Sequence, residues 1–117
     1  MTRILIGIGL TALIGAPATA ADGFSVEVLA WTRGNASGTA TVRIKNHTAQ
    51  ANSTWLEISC DAMKGRHNAV AKDFSYYRAP IPPGGEATTK VRVELYWTDA
   101  NRVQCEVYLT DKTERSE

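Results

Sequence analysis

The strongest constraint on this chain is a two-residue alternation of apolar and polar side chains that recurs after residue 23. Alternation with period two is typical of β-strands with one buried and one solvated face. It is clearest over 87–97, where Val91, Val93 and Leu95 are predicted to face inward. The six stretches that show it are 24–31, 39–46, 54–60, 69–77, 87–97 and 102–110. We therefore predict an all-β chain.

Clusters of turn-forming residues separate these strands at short intervals. They lie at 33–38, 46–53, 63–68, 80–86 and 98–102 and are rich in Gly, Asn, Asp and Pro. Because proline donates no backbone hydrogen bond, the cluster at 80–86 marks a crossing or an edge. Short, half-buried strands in this number predict a single antiparallel β-sandwich of immunoglobulin-like or fibronectin-III-like form, with a small open barrel as the alternative.

The two cysteines, Cys60 and Cys105, fall on core-facing positions of two predicted strands. Ile58 shares a face with Cys60, and Val107 shares one with Cys105. Neither cysteine lies in a metal-binding spacing such as C-x-x-C, and neither has a neighbouring base that would activate a thiol. We predict one buried disulfide that joins two strands. Free buried thiols, a metal site and a catalytic thiol are the alternatives.

Residues 1–20 have the three parts of a secretory signal peptide. Arg3 precedes an apolar run at 4–14, and Ala18 and Ala20 fit the small-residue pattern of a cleavage site. The run is shorter than the ~20 residues that span a bilayer, so we expect no membrane anchor. We expect cleavage after residue 20, a β-sandwich domain over 21–110 and a charged flexible tail over 111–117. The protein is expected to be periplasmic or secreted, where disulfides form.

Charges of both signs are interspersed along the chain, with 13 Lys and Arg residues and 12 Asp and Glu residues. Since no basic block occurs, no nucleic-acid partner is expected. His47 and His67 lie in separate predicted loops without ligand spacing, so no metal and no cofactor are expected; a metal carrier that uses both histidines is an alternative. Nucleophile-elbow, phosphate-loop and paired-carboxylate motifs are absent from the sequence, and the protein is not expected to be an enzyme.

Three N-x-S/T sequences begin at Asn35, Asn46 and Asn52. Loop composition supplies such triplets readily, and no acidic residue stands two positions before any of the three asparagines. We do not expect glycosylation at these sites.

Three sequence segments in the middle of the chain occur in the order typical of a known family. They read VRIKNHT at 42–48, LEISCDAMKG at 56–65 and IPPGGEATTKVRVEL at 81–95. This succession, over about Val42 to Val107, resembles the small bacterial exported domains of the FxLYD type, although the F-x-L-Y-D signature itself is absent. The resemblance implies an immunoglobulin-like fold and an accessory or binding role, and it implies no catalytic residue.

Four aromatic residues are predicted to face away from the core. They are Trp31, Trp55, Tyr96 and Tyr108. On neighbouring strands their rings would form a flat surface that suits a sugar ring or a protein. Its predicted edge consists of Glu57, Arg92, Glu94 and Glu106. Alternatively, the rings pack against loops, or a β-bulge shifts the phase of a strand and turns some of them inward. A second aromatic cluster at 74–78 is expected to cover the open end of the sandwich, with a binding loop as the alternative.

These features together predict an exported, non-catalytic binding or interaction module of the bacterial envelope or extracellular space. Its partner is expected to be a protein or a carbohydrate, and the sequence does not indicate the oligomeric state. The alternative is a small inhibitor of a secreted hydrolase, since a β-sandwich holds its loops rigidly.

Overall fold

The computed structural model describes residues 23–96 and 98–112, and in that part of the chain it contains six β-strands and no helix. The strands are β1 (Phe24–Arg33), β2 (Ser37–Asn46), β3 (Leu56–Lys64), β4 (Asn68–Tyr77), β5 (Glu86–Glu94) and β6 (Arg102–Leu109). All six predicted strands are confirmed, with small differences at their ends. The predicted signal peptide lies outside the described residues, as does the tail beyond residue 112. No helix that could span a membrane is found among the residues described.

The six strands form two antiparallel sheets that face one another. Sheet A has the order β1-β2-β5, and sheet B has the order β4-β3-β6. Across the sandwich, β1 contacts β6 and β5 contacts β4. The predicted β-sandwich is confirmed, whereas the open barrel is wrong because no described strand pairs with a strand of the other sheet.

The strand order corresponds to six strands of an immunoglobulin-type sandwich. In that fold, strands A, B and E share one sheet, while C and F share the other and strand C′ joins it beside C. Here β1, β2 and β5 take the places of A, B and E, and β3, β6 and β4 take those of C, F and C′. The seventh strand, G, pairs with F. In the part of the chain that the structure describes, the corresponding edge of β6 is unpaired.

The core consists of alternate side chains from five strands, as the period-two pattern predicts, and of three residues from the connections. Buried core residues are Phe24, Val26, Ala40, Val42, Ile44, Leu56, Ile58, Cys60, Ala62, Met63, Ile81, Val91, Val93, Leu95, Ala100, Val103, Cys105 and Val107. Strand β4 adds only partly buried side chains, among them Val70 and Tyr77. Burying one large aliphatic side chain stabilises a fold by about 1.5–3 kcal/mol, so this layer holds the sheets together.

Cys60 and Cys105 form a disulfide, as predicted. The two residues are directly opposite in the β3–β6 register, with Cα atoms 4.0 Å apart. So short a distance indicates a non-hydrogen-bonded pair, whose backbone N–H groups point away from the partner strand. The bridge therefore joins neighbouring strands of sheet B, whereas the disulfide of antibody domains joins the two sheets.

One end of the sandwich is closed by the proline-rich crossing between β4 and β5, whose Ile81 side chain is only 1% exposed. Asn46 is fully buried, and its side-chain amide donates hydrogen bonds to the carbonyls of Ile81 and Gln50 at 2.8 and 2.9 Å. Its side-chain oxygen accepts from the amide and the hydroxyl of Thr48 at 2.8 and 2.7 Å. The backbone N–H of Ile81 in turn donates to Asn52 Oδ1 at 2.8 Å. Two asparagine side chains therefore hold the crossing in place.

These bonds also give the asparagines of two N-x-S/T sequences a structural role. The amide nitrogen of Asn46 is buried and donates twice, and that of Asn52 donates to the carbonyls of Thr54 and Ala79 at 3.0 and 3.3 Å. Asn35, in contrast, is exposed in the β1–β2 turn. In the folded protein, Asn46 is not accessible as a glycosylation acceptor.

Candidate functional site

The two outer faces of the sandwich differ in chemistry. On sheet A, Arg43 donates to Glu27 at 2.8 Å and lies 3.7 Å from Glu86, and the bond to Glu27 raises the pKa of Arg43. That face also includes Thr39, Thr41, Lys45, Thr88, Lys90 and Arg92. The outer face of sheet B carries most of the exposed aromatic side chains. The outer face of sheet B is therefore the candidate site.

The register of sheet B arranges its outer face in three rows that run across β4, β3 and β6. From one end to the other, the rows are Tyr76–Glu57–Tyr108, Phe74–Ser59–Glu106 and Lys72–Asp61–Gln104. Directly opposite side chains on antiparallel strands have Cβ atoms about 4.5–5.5 Å apart and interact with each other. Two tyrosines therefore flank the Glu57 carboxylate. We call the surface formed by Trp55, Glu57, Asp61, Phe74, Tyr76, Glu106 and Tyr108 the aromatic-acidic face.

Three aromatic rings contact one another at the β4 side of this face. The ring centroids of Trp55 and Tyr76 are 5.5 Å apart, and those of Phe74 and Tyr76 are 5.6 Å apart. The Arg78 guanidinium lies 4.4 Å from the Trp55 ring centroid, and the Lys112 ammonium lies 4.8 Å from that of Tyr76. Such cation–π contacts are attractive and favour these orientations of the two rings. Phe74 is 52% exposed and leaves an apolar ring open to solvent.

Carboxylates dominate the β3 and β6 part of the aromatic-acidic face. Glu57, Asp61 and Glu106 lie there. Two cations border them: the Lys72 Nζ is 3.7 Å from Asp61 Oδ1, and Arg102 donates to Gln104 at 3.1 Å. The Tyr108 hydroxyl donates a hydrogen bond to Glu106. This bond, followed by desolvation and by the negative charges of Glu106, Glu57 and Asp61, raises the pKa of Tyr108 above its ordinary value. The potential around this ring is therefore negative.

A shallow depression of about 560 Å³ adjoins the Trp55 end of the face. Its lining includes Thr54, Trp55, Arg78 and Pro80. Ligand sites of small molecules are commonly about 300–1,000 Å³, and a flat aromatic wall with a cation beside it suits a sugar ring or a protein side chain.

Of the four aromatic residues predicted to form one surface, Trp55 and Tyr108 lie on the aromatic-acidic face, and Trp31 does not. The β1–β2 register shifts between Val28 and Ala30, which indicates a β-bulge. The extra residue reverses the inward and outward positions that follow it. Trp31 is thus opposite the fully buried Ala40, packs against the core and donates its indole N–H to the Ala100 carbonyl at 3.4 Å. The predicted outward orientation of Trp31 is wrong, and the bulge is the reason.

Tyr96 also lies apart from the aromatic-acidic face. It follows β5 in the connection to β6, has a positive φ of 51° and is 75% exposed. Arg92 and Glu94, which were predicted as edge residues of the same surface, lie on β5 in sheet A, where their side chains pair at 2.9 Å. Because β5 and β6 belong to different sheets, the predicted single surface divides between two sides of the molecule. Glu57 and Glu106 keep their predicted places beside Tyr108.

The sequence interpretation missed two residues of the face, Phe74 and Tyr76. The cluster at 74–78 was expected to cover the open end of the sandwich, but these two side chains lie on the outer face of sheet B, in β4. Their shared parity along the strand was visible in the sequence. The turn at Gly65, which has a positive φ of 79°, begins the β3–β4 pairing. The register shift between Ala62 and Met63 then places Phe74 opposite Ser59, and Tyr76 contacts Trp55.

The two histidines lie at opposite ends of the sandwich. His47 follows β2 at the end that the proline-rich crossing closes, and its Nε2 is 2.8 Å from Ser25 Oγ. His67 is exposed in the turn between β3 and β4. Within residues 23–96 and 98–112, no group of three or more His, Cys, Asp or Glu side chains is placed to hold a metal ion.

Comparison of the chain with protein-family models, with curated proteins and with solved structures gives no match. The similarity to FxLYD-type domains therefore stays a prediction.

Proposed function

We propose that this protein is an exported, non-catalytic binding module that uses its aromatic-acidic face to hold a protein or carbohydrate partner in the bacterial envelope or extracellular space. The observation that carries the proposal is the grouping of Trp55, Phe74, Tyr76 and Tyr108 on one outer face. The described strand residues of the opposite outer face include no aromatic side chain.

Exposed aromatic rings next to polar groups are the composition that binding surfaces favour. Tyr and Trp are enriched at interfaces because they offer large, rigid apolar area together with a polar atom. Phe74 and Tyr108 are 52% and 41% exposed, so a partner that covers them would remove apolar surface from water. Glu57 between the two tyrosines supplies an acceptor for a sugar hydroxyl or a cationic side chain.

The disulfide supports the proposed location. Disulfides form and persist in oxidising compartments such as the bacterial periplasm and the extracellular medium. The buried Cys60–Cys105 bridge is part of the core of sheet B and is typical of a protein that folds there.

Site-directed photo-crosslinking tests the proposal. A benzophenone amino acid replaces Ser59, at the centre of the face between Phe74 and Glu106, and in a matched variant it replaces Lys90 on the outer face of sheet A. We expect a discrete adduct from the Ser59 position in the producing cells and none from the Lys90 position. Equal adducts from both positions, or none from Ser59, would contradict the proposal.

A second experiment uses alanine variants of the exposed rings. The double variant Phe74→Ala and Tyr108→Ala should lose the adduct and keep its circular dichroism spectrum, because both side chains are largely outside the core. The control, Tyr96→Asn, removes a more exposed aromatic ring outside the face and keeps a residue that tolerates positive φ. An adduct that depends on Tyr96 and not on Phe74 and Tyr108 would place the binding surface elsewhere.

A further inference from the structure

The outer edge of β6 presents a regular row of backbone hydrogen-bonding groups. Because Cys105 belongs to a non-hydrogen-bonded pair with Cys60, its N–H and C=O point away from β3. The same holds for residues two apart along the strand, which are Val103, Val107 and Leu109. Thr110 has the opposite parity along the chain. In agreement with this alternation, its N–H points away from the outer edge and donates to the Trp55 carbonyl at 3.1 Å.

The four sheet edges differ in how they are protected against pairing. Edge strands are commonly blocked by bulges, prolines or lysines. The edge strand β1 has a bulge after Val28, and β4 has one at the register shift opposite Ala62 and Met63. The edge strand β5 carries Lys90 in its middle. Strand β6 pairs with β3 in unbroken register and contains no bulge, no proline and no lysine. The least protected edge is thus also the place of strand G in an immunoglobulin-type sandwich.

Charge indicates what kind of strand fits this edge. The outward side chains of β6 are Arg102, Gln104, Glu106 and Tyr108, and Glu57 lies behind Tyr108 on β3. Arg102, at the first position of β6, donates to Gln104 and to the carbonyls of the β3–β4 turn, so that Glu106 is the charged side chain in the middle of the edge. A second copy of β6 added antiparallel and centred on Glu106 would set the two Glu106 carboxylates directly opposite, which is destabilising. A strand with Lys or Arg on its outward side would instead place a cation beside Glu106. Its inward side chains would lie near Leu109, which is 38% exposed at a core-facing position.

We propose that the free edge of β6 binds an extended segment of a partner protein by strand addition, with basic side chains of that segment beside Glu106. Main-chain hydrogen bonds to Val103, Cys105, Val107 and Leu109 supply affinity in this mode, and alternate side chains supply specificity. This site shares Glu106 with the aromatic-acidic face, but its hydrogen-bonding groups lie along the outer edge of β6, and it does not depend on the proposed function.

The test uses a synthetic peptide of alternating valine and lysine, blocked at both ends, added to the full oxidised chain labelled with ¹⁵N. In the free protein, the amide hydrogens of Val103, Val107 and Leu109 should exchange rapidly with solvent. On addition of the peptide they should become protected, while amides of β5 stay unchanged. Slow exchange of these hydrogens in the free protein, or no protection with peptide, would overturn the proposal.

Matched peptides separate strand addition from simple charge attraction. Peptide N–H groups that face β6 belong to the inward residues, which are the valines. A peptide N-methylated at the valines should therefore lose binding, whereas one of equal charge N-methylated at the lysines should keep it. Equal affinity of the two peptides in isothermal titration would refute strand addition.

Variants of the protein test the charge preference and the choice of occupant. Glu106→Lys should weaken binding of the valine-lysine peptide about tenfold, since a cross-strand ion pair becomes a like-charge pair. Glu86→Lys, which makes the same charge change on sheet A, should leave the affinity unchanged. A peptide-free dimer in sedimentation analysis that protects the same amides would identify a second copy as occupant and overturn the proposal. Phe74→Ala should not alter peptide affinity, which distinguishes this site from the proposed function.

Discussion

The buried amide of Asn46 provides the sharpest test of how this sandwich is held closed. Asn46→Ala removes two donated hydrogen bonds of 2.8 and 2.9 Å and two accepted ones of 2.7 and 2.8 Å. The Gln50 carbonyl keeps a bond from the Thr48 hydroxyl at 2.7 Å. The Ile81 carbonyl loses its buried donor. The substitution therefore affects one carbonyl far more than the others.

The expected loss of stability follows from these contacts. An unsatisfied buried carbonyl costs about 1–3 kcal/mol, and each remaining exchanged hydrogen bond costs about 0.5–1.5 kcal/mol. Allowing for solvent access near Thr48, we expect Asn46→Ala to lower the free energy of unfolding by about 3–4 kcal/mol. For a domain of this size, that loss lowers the melting temperature by roughly 15–20 °C.

Urea denaturation of the oxidised protein, followed by tryptophan fluorescence and by circular dichroism, measures this loss. The control is Asn35→Ala, which changes an exposed asparagine of the β1–β2 turn and should alter stability by less than about 0.5 kcal/mol. If Asn46→Ala cost less than about 1 kcal/mol, or no more than Asn35→Ala, the assignment of the crossing's stability to this amide would be refuted.

Three further predictions concern the disulfide, a close contact and a titration. Replacing both bridged cysteines with alanine should cost about 4 kcal/mol in urea denaturation, as loop closure over a separation of 45 residues predicts; a loss below about 1 kcal/mol would contradict this. Gly38→Ala should lower the free energy of unfolding by about 1–3 kcal/mol, because its Cβ would lie 2.2 Å from the Trp31 ring. This loss should be smaller in a Trp31→Leu background. An equal loss in both backgrounds would exclude the contact as its cause. Glu106→Gln should lower the pKa of Tyr108 toward its ordinary value, since the hydrogen bond to the Glu106 carboxylate and the charge of that carboxylate favour the protonated phenol. An unchanged titration of the Tyr108 ring carbons by NMR would contradict this prediction.

Strand positions and the disulfide were predictable because both depend on local periodicity. Residues that alternate along one strand report its buried face, and Cys60 and Cys105 each share that face with neighbouring aliphatic residues. In a domain this small, two core-facing thiols are expected to lie close together. Their direct cross-strand pairing, however, required the β3–β6 register.

The aromatic surface was only partly predictable because it depends on which strands are neighbours. A single inserted residue in β1 reverses the orientation of Trp31, so that its side chain faces the core. The sequence around Val28 contains no glycine or proline that would indicate a bulge. Tyr108 and Tyr96 were grouped by parity, but Tyr108 lies on β6 in sheet B, whereas Tyr96 follows β5 of sheet A. Phe74 entered the face through the β3–β4 pairing alone.

The burial of Asn46 was not predictable from the sequence for a related reason. An asparagine in a stretch rich in Asn, Ser and Thr is typical of an exposed turn. Its burial depends on a crossing that is 35 residues away in sequence and brings the Ile81 carbonyl within 2.8 Å. Long-range contacts of this kind leave no local pattern.

The position of the disulfide within sheet B also determines how the molecule would bear a mechanical load. Tension applied to the two ends of the chain passes from Cys60 straight to Cys105, so that β4, the crossing and β5 lie in a slack covalent loop. While the disulfide is intact, force can extend only the segments outside this loop. The loop therefore reduces the maximum extension of the chain by about 150 Å, at roughly 3.4 Å per residue. Reduction of one bond would release that length at once, and the protein would change from a short tether to a long one.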